Sequence, residues 1–147
     1  MAVLRDVAIE AQVSVRGEPQ PGFPTEPNTT AGDVLWLGPD EWLVLGGREE
    51  DYPNAAAVVD VSASRVCFEL SGDDVEDVLA QGCTLDLHPS VFEVGRCAQT
   101  LLAQTQVILH RTDPARFRLL VRPSYAPYLR IWIEDALTSP RSSLRRR

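Results

Sequence analysis

Residues 60–100, DVSASRVCFELSGDDVEDVLAQGCTLDLHPSVFEVGRCAQT, decide the fold of this chain, because strand, helix and turn signals follow one another there without a gap. At and just before the start of this stretch, two short segments repeat apolar residues at close spacing, and this period-2 pattern predicts two strands that each bury one face. The residues that form the pattern are Val58, Val59 and Val61, and then Val66, Phe68 and Leu70.

A helix is predicted directly after the second of these strands. Ser71 has a hydroxyl that can cap the helix, Asp74 occupies the capping-box position, and the acidic residues between 73 and 77 suit the positive end of a helix dipole. We therefore expect the helix to begin at about Gly72 and the chain to turn out of it at Gly82. Its sheet-facing stripe is formed by Val75, Val78 and Leu79.

The part of the chain before this stretch contains strand and loop signals. A strand is predicted over residues 8–15, and residues 17–32, which are rich in proline, are predicted to form a loop that serves as a partner-binding arm. Residues 33–37 and 42–45 are two apolar runs around the turn Gly-Pro-Asp-Glu at 38–41. This arrangement predicts a β-hairpin.

The part after residue 96 continues as sheet and ends as helix. Three strands are predicted at residues 97–103, 107–110 and 116–121, and they form a meander. A final helix opens at Pro123 and Ser124. Its apolar face is formed by Leu129, Trp132, Ile133, Ala136 and Leu137.

These elements predict an α+β fold in which a mainly antiparallel sheet is covered on one side by two helices. A chain of 147 residues is long enough to bury its own core, so residues 1–140 are expected to form one domain. Residues 141–147 contain four arginines and are expected to be a disordered basic tail.

Composition excludes several classes of protein. All 14 basic residues are arginine, which rules out Schiff-base and phosphate-loop lysine chemistry. The net charge is −7, so a nucleic-acid-binding function is not expected. Three cysteines without a CxxC pair argue against a disulfide framework and a zinc cluster. No signal peptide or membrane span is recognisable, and a cytoplasmic, soluble protein is expected.

The sequence offers few candidates for chemistry. It contains no Gly-rich phosphate loop, HExxH or GxSxG motif. His110 lies on a predicted strand and is interpreted as a structural residue rather than a general base. Asp86 and His88 have the spacing of two metal ligands near Glu93, but a histidine that hydrogen-bonds to the backbone and fixes its loop is the favoured interpretation.

Three phrases of the chain stand out together: LGPDEWL at residues 37–43, VDVS at 59–62 leading to Arg65, and residues 82–100, which contain LDLHP and GRCAQT. These phrases resemble the gamma subunit of heterotetrameric sarcosine oxidase. Their order and spacing extend the resemblance over nearly the whole chain. Residues 60–81 are also similar to the folate-binding domain of the glycine-cleavage aminomethyltransferase, which implies the fold of that domain.

This resemblance implies a non-catalytic subunit of a complex that oxidatively demethylates sarcosine to glycine. In that family FAD, FMN, NAD and tetrahydrofolate belong to the larger subunits, so no cofactor is expected in this chain. The implied partners are chiefly the alpha subunit, with the beta and delta subunits. The residues expected to contact a partner are Asp40, Trp42, Asp86, His88, Phe92 and Arg96, and Trp42 is the strongest candidate because it follows a tight turn.

Two departures from the related patterns bear on the alternative function, a stand-alone folate-binding or one-carbon transfer protein. Residues 104–108, QTQVI, lack the carboxylate that takes part in folate chemistry in the aminomethyltransferase pattern. Ala63 stands where the gamma-subunit phrase commonly has histidine. General acid or base catalysis at residues 104–108 is therefore not expected.

Overall fold

The computed structural model describes residues 1–138, so the predicted basic tail and the last two residues of the predicted domain lie outside the described residues. In chain order the elements are β1 (Val3–Val7), β2 (Gln12–Arg16), β3 (Thr30–Ala31), β4 (Val34–Gly38), β5 (Glu41–Leu45), a 3₁₀ turn (Glu49–Asp51), β6 (Ala57–Asp60), β7 (Val66–Ser71), α1 (Val75–Ala80), β8 (Cys97–Leu102), β9 (Thr105–Asp113), β10 (Arg116–Val121), a second 3₁₀ turn (Pro123–Tyr125) and α2 (Ala126–Thr138).

The strands form two five-stranded sheets with antiparallel pairing. The central sheet has the order β1-β7-β10-β9-β8, and the outer sheet has the order β3-β4-β5-β2-β6. The predicted antiparallel α+β fold is confirmed, as are the hairpin β4–β5 and the meander β8–β9–β10. The structure divides the strands between two sheets, where the sequence pattern predicts one.

The predicted strand over residues 8–15 is correct for residues 12–15, which lie in β2, and wrong for residues 8–11. β1 pairs with β7 in the central sheet, whereas β2 pairs with β5 and β6 in the outer sheet, and residues 8–11 cross between the two sheets. Gln12 fixes the end of the crossing, because its backbone N–H donates to Ser62 Oγ over 2.9 Å and its side-chain amide donates to the Arg65 carbonyl over 3.0 Å. The polar and apolar alternation continues through the crossing and conceals it.

The central sheet has an apolar layer on each of its two faces. On the face toward the helices, the central sheet packs against α1 and α2, with Leu70, Leu109 and Phe117 among its buried residues. On the opposite face, it meets the outer sheet through a second apolar layer. That layer contains Leu35, Leu43, Leu45, Cys67, Cys97, Ile108 and Leu120. Because both faces of the central sheet are covered, β7 is buried on both sides rather than on the one side that its period-2 pattern predicts.

Helix α1 begins at Val75, later than the predicted start near Gly72. Ser71 is the last residue of β7, and Asp74 is the residue that precedes the helix. Gly72 instead has a φ of +144°, and a Cβ there would lie 2.5 Å from Ala2 Cα, so the glycine allows β1 to pass close to it. The apolar stripe of Val75, Val78 and Leu79 is buried as predicted.

Candidate partner-binding site

The six residues expected to contact a partner lie in two places. Asp40 is exposed at the tip of the hairpin β4–β5, whereas Asp86 and His88 are exposed on the segment between α1 and β8, which we call the loop (residues 83–96). Within residues 1–138 no hydrogen bond or ion pair joins the hairpin tip to the loop. The hairpin tip and the loop are therefore two separate surface features.

Asp86 and His88 give the loop its shape. Asp86 Oδ1 accepts a hydrogen bond from the His88 N–H over 3.0 Å, and His88 Nδ1 accepts one from the Ser90 N–H over 3.1 Å. The His88 carbonyl accepts from the N–H groups of Val91 and Phe92. These contacts match the interpretation that His88 fixes the loop. Among residues 1–138 no three His, Cys, Asp or Glu side chains are grouped so that they could hold a metal ion.

Arg111 binds the loop from the protein interior, and no sequence pattern described above identifies it. Its side chain is 1% exposed, and its guanidinium donates to the carbonyls of Leu87 and Phe92, each over 3.0 Å. The same group donates to the Pro114 carbonyl over 2.6 Å and to Glu76 Oε2 over 3.0 Å. An arginine directly after four buried strand residues, 107–110, is unusual. This sequence position is the signal that could have indicated a buried, functionally placed Arg111.

Phe92 lies inside the protein, so its placement at a partner surface is not supported by this structure. The side chain is 7% exposed and belongs to the helix-side core. Its ring centroid lies 5.9 Å from that of Phe117, which also carries the Arg111 guanidinium on its face. Phe92 therefore holds the loop against the core.

Trp42 is also buried, in contrast to the exposed position that its place after a turn indicates. Its side chain is fully covered, and Nε1 donates to the Pro24 carbonyl over 2.8 Å. Phe23 packs against the indole with a centroid separation of 5.5 Å. The predicted arm, residues 17–32, thus covers the outer face of the outer sheet in place of reaching into solvent.

Arg96 connects the arm to the loop. Its guanidinium donates to the Pro27 carbonyl over 3.4 Å, and its backbone pairs with Thr29 in an isolated antiparallel bridge. The next residue, Cys97, donates its N–H to the Asn28 carbonyl over 2.9 Å. The loop and the arm are consequently held as one unit.

Two valines of the loop point outward. Val91 is 54% exposed and Val94 is 51% exposed, although both belong to a segment whose backbone is fixed by His88 and Arg111. The sequence analysis does not single them out, because an isolated valine in a loop gives no pattern. Exposed apolar side chains on a rigid backbone are suited to contact with another protein.

Three buried groups that could take part in covalent or acid–base chemistry, Cys67, Cys97 and His110, are held in unreactive states. Burial raises the pKa of the Cys67 thiol to about 11, and burial likewise raises the pKa of Cys97 to about 11. Burial, aided by the charge of Arg118, lowers the pKa of His110 to about 4. At neutral pH the two thiols are therefore protonated and the imidazole is uncharged.

A buried carboxylate lies on the outer-sheet side of the central sheet. Glu69 is 5% exposed and is flanked by the guanidinium groups of three arginines. The nitrogen-to-oxygen distances are 2.6 Å for Arg5, 3.6 Å for Arg116 and 3.9 Å for Arg118. This cluster neutralises the carboxylate and ties β1, β7 and β10 together.

The fold and its surface define a class of protein, a two-sheet α+β domain with a hydrogen-bonded loop that carries two exposed apolar side chains. The family model described as sarcosine oxidase, gamma subunit family, matches residues 25–139. This chain belongs to the sarcosine oxidase gamma subunit family.

Curated relatives and a solved structure agree with this assignment. The chain is 33% identical to sarcosine oxidase subunit gamma from Arthrobacter sp., over 92% of this chain and 80% of that protein. It is 35% identical to sarcosine oxidase subunit gamma from Corynebacterium sp. (strain P-1), over 92% of this chain and 79% of that protein. A chain of the heterotetrameric sarcosine oxidase from Corynebacterium sp. U-96, solved in complex with pyrrole 2-carboxylate, matches with a TM-score of 0.83, 31% identity and coverage of 93% of this chain and 84% of that chain.

Proposed function

We propose that this chain is the non-catalytic gamma subunit of a heterotetrameric sarcosine oxidase and that it supports assembly of the complex that demethylates sarcosine to glycine. The observation that carries the proposal is the match to a chain of a solved heterotetrameric sarcosine oxidase, because it extends over 93% of this chain. The partners are the alpha subunit chiefly, and the beta and delta subunits.

The state of the buried groups supports a non-catalytic role. The pKa of His110 is lowered to about 4 by burial, and the pKa values of Cys67 and Cys97 are raised to about 11 by burial, so these groups are poorly suited to proton transfer or nucleophilic attack. In this proposal FAD, FMN, NAD and tetrahydrofolate are bound by the partner subunits.

The proposal also includes a cytoplasmic location, which three buried and unpaired cysteines support. No helix within residues 1–138 has the length and apolar character needed to cross a membrane.

The partner surface in this proposal centres on the loop. Asp86 and His88 are exposed there and fix the backbone, Val91 and Val94 provide exposed apolar area, and Arg96 holds the adjoining arm. Asp40 at the hairpin tip forms a second, separate contact. A pre-shaped loop favours binding because little conformational freedom is lost when the partner docks.

Co-purification tests the proposed function. We would express a tagged form of this chain together with the alpha, beta and delta subunits of the complex from the same organism. The expected result is recovery of one complex that contains all four subunits, bound flavin and sarcosine-dependent production of hydrogen peroxide. Recovery of this chain as a solitary monomer would overturn the proposal.

Variants of the loop locate the surface. The double substitution Val91→Ser/Val94→Ser is expected to reduce recovery of the complex, because it removes exposed apolar area without touching the core. Val3→Ser is the matched control, since Val3 is also 54% exposed but lies on β1. Equal recovery of the loop variant and the control would exclude the loop as the partner surface.

Titration with tetrahydrofolate addresses the alternative, a stand-alone folate-binding or one-carbon transfer protein. The non-catalytic proposal expects no heat of binding when the isolated chain is titrated in a calorimeter. A saturable heat with one-to-one stoichiometry would favour the alternative.

A further inference from the structure

A cleft opens between the two sheets at the end where β10 passes into α2. Its volume is about 730 Å³, and it is lined by residues of β2, β4, β5 and β6, by the segment between β6 and β7, and by residues 122–124 directly after β10. The polar side chains that define its character are Ser14, Arg16, Glu41, Ser64, Arg65 and Arg122. None of these residues belongs to the loop described above.

Two arginines of the cleft have no carboxylate within 4.0 Å in the part of the chain that the structure describes. Among residues 1–138, seven arginines lie within 4.0 Å of an acidic side chain, which leaves Arg65, Arg96 and Arg122. Arg96 donates to a carbonyl of the arm. Arg65 and Arg122 line the same cleft, so the two unpaired guanidinium groups are neighbours.

The two guanidinium groups repel each other, with Arg65 partly buried and Arg122 exposed at the cleft. The pKa of Arg65 is lowered, first by burial and then by the positive charge of Arg122. Glu41 opposes this effect, but its carboxylate is 3.3 Å from Arg16 and is shared with that residue. The cleft therefore holds two cations whose nearest carboxylate is already shared with Arg16, and a further bound anion would relieve their repulsion.

We propose that the cleft binds an acidic segment of a partner subunit, with Arg65 and Arg122 receiving its carboxylates. This inference rests on the proposed function, because it takes the occupant to be a subunit of the same complex. Guanidinium groups bind carboxylates through paired N–H donors, and the hydroxyls of Ser14 and Ser64 add hydrogen-bonding capacity. A cleft of about 730 Å³ has room for more than one side chain.

Charge complementarity determines the choice of occupant. The cleft presents unpaired positive charge on a chain that carries ten arginines against 21 acidic residues over residues 1–138. A partner that docks elsewhere on this acidic surface meets repulsion if it is acidic, whereas an acidic segment directed into the cleft meets attraction. The cleft thus favours one orientation of docking.

The first test uses the assembled complex. Arg65→Gln/Arg122→Gln is expected to weaken recovery of the complex by about tenfold or more, because truncating buried charge contacts at an interface has effects of this size. The single variant Arg122→Gln is compared with Arg48→Gln, which removes the same charge from an exposed position outside the cleft; the Arg48 variant is expected to assemble as the wild type does. Assembly of the double variant at the wild-type level would overturn the inference. Failure of the wild-type chain to assemble would instead overturn the proposed function.

The second test uses the isolated wild-type chain and does not depend on a variant that folds. Side-chain Nε–H signals of arginine are followed by nuclear magnetic resonance during titration with an octaglutamate peptide and, separately, with inorganic phosphate. The peptide is expected to shift the Arg65 and Arg122 signals selectively and at lower concentration than phosphate. An absence of shifts would overturn the inference, and so would an equal response to phosphate, which would indicate a site for small oxyanions.

Sedimentation of the isolated chain tests the remaining occupant, a second copy of this chain. We expect a monomer over the micromolar range. A wild-type dimer that the double substitution Arg65→Gln/Arg122→Gln abolishes would show that the cleft binds an acidic surface of a second copy of this chain. That result would overturn the assignment to a partner subunit.

Discussion

Arg111 is the residue on which the shape of the loop depends. Its guanidinium reaches three backbone carbonyls and the carboxylate of Glu76, and it lies over the ring of Phe117. The position is fully enclosed, so no water replaces these contacts if the side chain is shortened or made apolar.

Replacing Arg111 by methionine is expected to destabilise the protein by about 3 kcal/mol, because carbonyl groups of Leu87 and Phe92 would lose their donor. Because Glu76 is partly exposed to water, the loss in free energy of unfolding is expected at the lower end of the range for breaking a buried ion pair. Urea unfolding measures the effect, and Arg48→Met at an exposed site is the control, with an expected change within about 0.5 kcal/mol. Equal midpoints for both variants would contradict the anchoring role.

His110 is expected to make stability depend on pH. Burial lowers its pKa from 6.5 to about 4, with Arg118 assisting and Asp33 opposing, so the unfolded chain takes up the proton first as pH falls. The stability contributed by the neutral ring is present above about pH 6.5 and is lost between pH 6.5 and 4, by about 3 kcal/mol. Thr30 Oγ1, at 3.3 Å from Nε2, also faces the ring.

The variant His110→Gln isolates this contribution, since it removes the titrating group. Its free energy of unfolding, measured by urea between pH 7 and 4, is expected to fall less steeply than that of the wild type. A wild-type slope in His110→Gln would assign the acid sensitivity to other groups.

Trp42→Ala is expected to lower the stability of the isolated chain, whether or not it also affects assembly. The indole is enclosed by Phe23 and the Pro24 carbonyl, so its removal leaves a cavity and should lower stability by about 3–5 kcal/mol. Thermal unfolding of the isolated chain measures this loss. Trp36→Ala, opposite it in the hairpin and only partly buried, is the control and should have a smaller effect. An unchanged midpoint for Trp42→Ala would indicate a true surface residue.

At the scale of elements, the glycine that follows α1 packs against α2. The sequence analysis interprets Gly82 as the residue that turns the chain out of α1, and it does follow that helix. Its φ is not in the left-handed region, and the reason for glycine is instead packing, since a Cβ would lie 2.6 Å from Trp132 Cζ2 of α2. Gly82 therefore sets how closely the start of the loop approaches α2.

Gly82→Ala is expected to destabilise the protein by about 1–3 kcal/mol, because the new methyl group must displace the Trp132 ring. Denaturant unfolding and the near-ultraviolet circular dichroism of the tryptophan report the change. Gly38→Ala is the control, since a Cβ there meets only Glu41 Cβ at an ordinary 3.8 Å. A neutral Gly82→Ala would show that the ring moves freely.

Elements whose signals are local are predictable from the sequence. The hairpin β4–β5 follows from its turn residues, and α2 follows from Pro123 and the spacing of Leu129 and Ile133. The start of α1 is not predicted correctly, because Ser71 satisfies a capping pattern but is held in β7 by its pairing with β1 and β10. Tertiary pairing there overrides a local preference.

Among the site residues, those whose contacts are local in sequence are predictable, and those whose contacts are distant in sequence are not. The structural role of His88 is predictable, because its partners Asp86 and Ser90 are neighbours in sequence. The burial of Trp42 depends on an arm that begins about 20 residues earlier, and the role of Arg111 depends on carbonyls of the preceding loop. Contacts between distant segments leave no periodic signal in a single sequence.

At the scale of the whole molecule, the two sheets differ in their protection from solvent. β7, β9 and β10 lie inside the central sheet and are covered by the helices and by the outer sheet. β6 is an edge strand of the outer sheet with mostly exposed side chains, and β3 has only two residues. Regions with less buried contact open at lower free energy.

Hydrogen exchange followed by mass spectrometry is expected to resolve this difference. Amides of β9 and β10 should exchange slowest, close to the rate set by global unfolding, and those of β3 and β6 should exchange fastest. The internal reference is β5, which lies within the outer sheet and should be intermediate. One common rate for all strands would contradict separate opening of the outer sheet.

The arm affects the thermodynamics of association. It is already ordered in the free chain, through the Pro24 contact with Trp42, the Asn28 contact with Cys97 and the Pro27 contact with Arg96. Docking then involves no folding of the arm, so the arm adds no folding contribution to the heat-capacity change of association. Association of two pre-formed surfaces typically proceeds at about 10⁵–10⁷ M⁻¹s⁻¹, and this chain is expected to join its partners as a rigid body within that range.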